Sequence, residues 1–239
     1  IAMMTRALGA EGFGHYTTIT AFLQIFGILV DMGLTLTTVQ FLSEPKANTE
    51  RVLGAMLSLR IITAIIVLGL APILALFFPY PPIVQTGILI YTISFLFISI
   101  NQILLGLFQR ELQTSRIAIA ELVGRVVLFF GIASVILFDF GLHAMLLMIV
   151  IAGFIQFAVT LYFAHHFTRI RLIIDTALWK HFLSVSWPIG ISIAANLAYF
   201  KADTVILSVY HPAEIVGLYG APYRVLEVLI TIPYMFIGV

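Results

Sequence analysis

The sequence predicts an all-α polytopic membrane protein, and three observations predict it. Of 239 residues, 62% are hydrophobic and only 10% are charged, with a mean hydropathy of +1.13. Soluble domains usually carry about 25% charged residues. Apolar runs long enough to span a bilayer, which needs about 20 residues, recur along the whole chain. The lysines and arginines of the connectors collect on one side. A net charge of +1 from singly scattered basic residues offers no stripe for nucleic acid. The absence of cysteine excludes disulfides, cysteine-ligated zinc and thiol catalysis.

Six complete spans are expected, at about 15–42, 52–78, 83–109, 116–138, 142–165 and 182–209, with a seventh starting near 216. The connectors carry turn residues: "SEPKANTE", "PYPP", "RELQTS", "DFG" and "YHPAE". Only the stretch 166–181 is longer. The chain opens on Ile1 and stops at Val239 inside apolar stretches, so it reads as a fragment of a longer protein. With the connector at 5–14 placed on one side, alternation puts Lys46, Arg51, Arg110, Arg116, Arg169, Arg171 and Lys180 on the other, leaving Arg6 alone. That bias makes the basic side cytoplasmic.

Two copies of one phrase stand 203 residues apart: "AEGFGHY" at Ala10–Tyr16 and "AEIVGLY" at Ala213–Tyr219. Six spans lie between them, so both face the outer side, each just before an inward-running helix. Their shared position suggests a parallel repeat of six helices, about 34 residues per crossing, as in transporters whose halves are related by an axis along the membrane normal. A good interfacial turn used twice would give the same pattern. Pro212 and Glu214 suit a helix start, and the tyrosines suit the headgroup level.

Charges within spans are costly and usually face a bundle interior or an aqueous cavity. Arg60 precedes an apolar run to Phe78, from which it either snorkels to the cytoplasmic surface or faces inward. Arg125 sits deep in its span with Glu121 four residues before it, the better order for a helical ion pair. The two either neutralise one another in a packed bundle or line a cavity. Asp31, in "GILVDMGLTL", has no basic neighbour three or four residues away. It must be protonated, paired across helices as a proton or cation relay would need, or used to cap a helix break at Gly33. Lys201 and Asp203 point about 200° apart on their helix, while Arg224 and Glu227 are spaced to pair. All four lie near one short outer turn, as a polar cluster would. Pro72, Pro188, Pro222 and Pro233 fall within or near spans, where kinks are tolerated with or without function. No nucleotide-binding loop, zincin motif, nucleophile elbow or metal-spaced histidine pair is present.

"RALGAEGFGHY" followed by "GILVDMGLTLTTVQFL" resembles the opening of polysaccharide flippases of the Wzx type, within the multidrug/oligosaccharidyl-lipid/polysaccharide exporter superfamily. The matching positions are Arg6, Leu8, Gly9, Phe13, Gly14 and Tyr16, then Val30, Asp31, Gly33 and Leu34. The stretch "SWPIGISIAANLAYFKADTVILS", with Lys201 and Asp203, and the following "AEIVGLYGAPYRVLEVL" are also similar to the family. The resemblance implies two six-helix lobes around a central cavity. Residues 1–180 would form the N-terminal lobe, from the end of helix 1 through helix 6 and a cytoplasmic linker. Residues 181–239 would start the second lobe with helix 7 and part of helix 8.

The implied function is translocation of an oligosaccharide on polyprenyl pyrophosphate across a bacterial inner membrane by alternating access, with no bond made or broken and no cofactor. Arg60, Arg125, Lys201 and Arg224 are then the candidates for the pyrophosphate, and Asp31 and Asp203 for coupling to a proton or sodium ion. The expected partners are lipid-linked oligosaccharide and membrane lipids. One rival keeps the superfamily and makes the cargo an organic cation, exchanged by a multidrug antiporter. Another is a membrane glycan polymerase or ligase, against which the short outer connectors speak.

Overall fold

In the computed structural model, residues 2–44 and 48–237 are described, apart from the side chains of residues 2, 197–201, 224–225, 227–228 and 230–237. The described chain is mostly helical, with short turns and one longer irregular segment at 165–175. The helices are α1 (Ala2–Asp31), α2 (Leu34–Ser43), α3 (Thr49–Ala75), α4 (Pro82–Arg110), α5 (Thr114–Leu137), α6 (Gly141–Ala164), α7 (Thr176–Tyr210) and α8 (Ala213–Ile237). Among the described residues, five helical stretches are long and apolar enough to cross a membrane: Met3–Ser43 and α3 to α6.

Three boundaries differ from the sequence reading. The connector expected at 5–14 is a kink instead, made by Gly9 alone at φ 66°, and the helix resumes at once. The span expected at 15–42 is broken after Asp31, where Met32 and Gly33 both adopt positive φ before α2 begins. The helix expected from 182 starts earlier, at Thr176, because Asp175 caps it by accepting from the Leu178 N–H.

Elsewhere the ends follow local chemistry. Asn48 caps α3 by accepting from the Arg51 N–H, and Glu50 sits in the first turn, where the helix dipole favours an acid. Pro82 starts α4, where its missing N–H costs nothing. Leu112 at φ 53°, and Asp139 with Gly141, supply the left-handed residues of the α4–α5 and α5–α6 turns.

Two apolar clusters fill the bundle. One is built on Phe13, Ile19, Phe22, Leu23 and Phe26 of α1, with the later half of α3 and the start of α4. The other joins Leu34, Phe41 and Leu42 of α2 to Leu53–Leu59 of α3 and Ile103–Phe108 of α4. The break between α1 and α2 falls at the boundary of the two. The segment after α6 is pinned across the start of α3: the Ile173 N–H donates to the Gly54 carbonyl, Ser58 Oγ donates to the Ile173 carbonyl, and Trp179 Nε1 donates to the Ala55 carbonyl. Arg51 adds a bond from Nη2 to Asp175 Oδ2 at 2.6 Å. The Arg51 hydrogen bond and the Leu178 N–H hold the Asp175 carboxyl below its usual pKa. Its contribution is therefore in force above the ordinary carboxylate range and is lost only as pH falls through the lowered value.

Gly33 is the residue at the break that no other can replace. It sits at φ +80°, and a Cβ there would press on the Ser186 carbonyl and the backbone of Gly190 in α7. Gly33→Ala is expected to destabilise the detergent-purified protein by about 2 kcal/mol or more, from left-handed strain and overpacking together. Gly69→Ala, whose added carbon meets nothing within 4 Å, should leave the melting temperature unchanged or slightly raised. A thermal-shift comparison of the two variants checks this; equal melting would show that the break tolerates a side chain.

Candidate functional site

The Asp31 carboxylate does three jobs at the break. Oδ2 accepts from the Gly33 N–H at 3.1 Å, Oδ1 accepts from the Thr35 N–H at 3.3 Å, and the Thr35 hydroxyl also donates to Oδ1. Asp31 thus caps α2 from the last residue of α1. Its charge is met across helices by Arg60 of α3, whose Nη2 lies 2.6 Å from Oδ1. The same nitrogen donates to Thr35 Oγ1 at 2.9 Å, and Nη1 donates to the Val30 carbonyl at 3.1 Å. Gln102 of α4 closes the group, its Oε1 3.4 Å from Thr35 Oγ1.

Arg60 is 0% exposed and Asp31 14% exposed. Arg60 therefore does not snorkel to the cytoplasmic surface; its guanidinium is spent on holding the free end of α1 to the start of α2. Only Nε of Arg60 lacks a hydrogen-bond partner. A buried guanidinium has to be paired, because desolvation of a lone charge costs several kcal/mol. In this conformation no face of Arg60 is open to a ligand.

Arg125 presents the opposite case. It lies near the middle of α5, nine residues beyond Arg116, or about 14 Å along the helix axis. Its side chain is 72% exposed, and Nη2 meets Glu121 Oε1 at 2.9 Å, with Glu121 49% exposed. The i,i+4 pair read from the sequence forms, but on an open face and not inside a packed bundle. Leu122 and Val126 flank it on the same exposed side. At the start of α5, Arg116 stacks over the Phe167 ring at 4.6 Å and near Phe163.

At the α7–α8 turn, Asp203 of α7 accepts from its neighbour's Thr204 N–H at 2.6 Å and from the Tyr219 hydroxyl of α8. The two arms of the α7–α8 turn are therefore joined through an aspartate and the tyrosine of the second A-E-x-x-G-x-Y phrase. Lys201 lies on α7, and Arg224 and Glu227 on α8, but their side chains are outside the described residues. Sequence reasoning missed the partners Thr35, Gln102 and Tyr219. A threonine four residues after Asp31 was a signal for the first of these; the others are long-range and left no local trace. No group of three or more acidic, histidine or cysteine residues suited to a metal occurs among the described residues.

The chain matches, over residues 1–239, the family described as polysaccharide biosynthesis protein. It belongs to that family. Comparison with curated proteins and with solved structures gave no match. Family membership and the apolar helices together make the chain a multi-pass membrane protein of polysaccharide biosynthesis.

The two arginines should part company under mutation. Asp31→Ala leaves Arg60 buried and unpaired and removes the α2 cap, so a loss of about 3–5 kcal/mol in stability is expected. Restoring an apolar pair with Arg60→Met and Asp31→Leu should recover much of it, whereas Arg125→Gln should stay within about 0.5 kcal/mol of wild type. Denaturant titration in mixed micelles measures all three. A mild Asp31→Ala would show that Arg60 finds water or another partner.

Proposed function

We propose that this protein is a flippase that carries oligosaccharide on polyprenyl pyrophosphate across the bacterial inner membrane by alternating access, making and breaking no bond. The observation that carries the reading is the exposed Arg125–Glu121 pair halfway along an apolar helix. A charged side chain at the bilayer centre costs at least about 2.5–3.5 kcal/mol and is found almost always beside a water-filled cavity or another protein group. That face of α5 is therefore assigned to an aqueous path. A pyrophosphate crossing hydrocarbon needs such a path and a cation along it, and a guanidinium offers a planar pair of donors to phosphate oxygens.

In this reading residues 1–180 form one lobe and residues 181–239 begin a second, with the repeated A-E-x-x-G-x-Y phrase marking equivalent positions in the two. On the same reading Arg125 makes the first contact with the pyrophosphate, and Lys201 and Arg224 of the second lobe are the further cationic candidates. Arg60 stays in its pair with Asp31 and supports the lobe. Asp203, held by the Tyr219 hydroxyl across the α7–α8 turn, stays a candidate for ion coupling.

The test uses the full-length protein in liposomes with a short polyprenyl-pyrophosphate glycan whose exposed fraction is read by an impermeant reagent. Arg125→Gln is expected to slow leaflet exchange about 10- to 100-fold, the equivalent of losing a charge-assisted contact of about 1.5–3 kcal/mol, while folding is unaffected. Unchanged exchange in that variant would remove Arg125 from the path. Proton- or sodium-driven efflux of an organic cation with no glycolipid exchange would make the protein an antiporter instead.

A further inference from the structure

The two copies of the repeated phrase touch one another. Helices α1 and α8 approach so closely that a Cβ on Gly14 would overlap the Ala213 carbonyl oxygen, and a Cβ on Gly217 would overlap the Ala10 carbonyl oxygen. A Cβ on Gly217 would also lie 3.0 Å from the Gly14 nitrogen, and one on Gly14 would lie 3.1 Å from the Gly217 nitrogen. Ala10 and Ala213 are the same position of the phrase, as are Gly14 and Gly217, so the contact is unchanged when the copies are exchanged. One turn further in, Gly220 packs on Thr17, again at the 203-residue offset. The phrase is thus a small-x-x-x-small contact written twice, which lets two helix backbones meet.

We propose that this contact is the outer closure of the transporter, which parts to release cargo on the outer side and re-forms afterwards; the proposal rests on the flippase reading. Three features suit a contact that opens. The hydroxyls of Thr17 and Thr18 on this face donate to the Phe13 and Gly14 carbonyls of their own helix, so parting leaves them satisfied. Small residues bury little apolar surface, in contrast to the rings of Phe13, Phe22 and Phe26 that hold α1 to its own bundle. A cavity of about 240 Å³ lies beside the contact, lined by His15, Thr18, Tyr80, Ser208, Ala213 and Val216, so its flank is not closely packed.

The opposite end is built differently. There α2 meets α7 through Phe41 on Phe182, ring centroids 4.7 Å apart, and through the Thr37 and Ser186 hydroxyls at 2.7 Å. At that end the two parts meet through rings and hydroxyls; at the other, helix backbones meet through small residues, with the Tyr80 and Ser208 hydroxyls 3.0 Å apart beside them.

The closing experiment uses the absence of cysteine from residues 1–239, with any cysteine outside them replaced by serine. In the full-length protein, Thr17→Cys with Gly220→Cys places two thiols on β-carbons 3.2 Å apart, close to the roughly 3.8 Å of a disulfide. Oxidation is expected to cross-link the pair and stop glycolipid exchange in liposomes, and reductant to restore it. A cross-linked protein that exchanges glycolipid at the reduced rate overturns the proposal, and so does failure of the disulfide to form. If neither form moves glycolipid, the flippase reading fails, and spin labels on Glu11→Cys and Glu214→Cys in nanodiscs decide the closure separately. Two distance populations support a contact that opens; one narrow distance overturns it.

Discussion

The turn from α1 into α2 depends on one ion pair whose arginine is fully buried. Asp31 ends α1, starts α2 and would be a free carboxylate among apolar side chains if Arg60 did not reach it from α3. The break it caps allows Gly33 to meet the backbone of α7, and it falls between the two apolar clusters. A continuous helix through 31–33 would carry Phe41 and Leu42 round to a different face, away from α3, α4 and α7. The pair therefore fixes a direction as much as it contributes stability, the use for which buried polar groups are best attested.

Two arginines in neighbouring helices show how environment divides one side-chain type between roles. Both have a carboxylate within hydrogen-bond distance. Arg60 has no exposure and three protein oxygens around it, so it is a strut. Arg125 has one carboxylate partner among the described residues and a side chain that is 72% exposed. The distinction is one of packing: α3 is surrounded by α1, α2, α4 and α7, while α5 leans mainly on α6 and leaves a face uncovered.

The α7–α8 turn repeats the theme with different chemistry. Asp203 and Tyr219 tie the arms of the α7–α8 turn together, while the alanines and glycines of the repeated phrase bring α8 against α1 with almost nothing between the backbones. A hydrogen-bonded hairpin docked through small residues moves as one piece more readily than a helix held by interlocking rings.

The amino-acid sequence by itself determined the class of the protein. Hydropathy and run length are local sums, so helices α3 to α6 fall close to where apolar runs of about 20 residues place them. The Arg125–Glu121 pair was equally legible, since residues four apart on a helix must be neighbours. Even the helix break at Gly33 was visible as one use of an aspartate without a local partner. Only the tertiary structure decided what depends on distant chain meeting distant chain. Arg60 is 29 residues from Asp31, and nothing in its own neighbourhood distinguishes a buried strut from a residue that snorkels. The repeated phrase gave position, but that its glycines face each other follows from how α1 and α8 cross. Spacing along one helix is set by backbone geometry; which faces of two helices come together is set by every other side chain in the bundle.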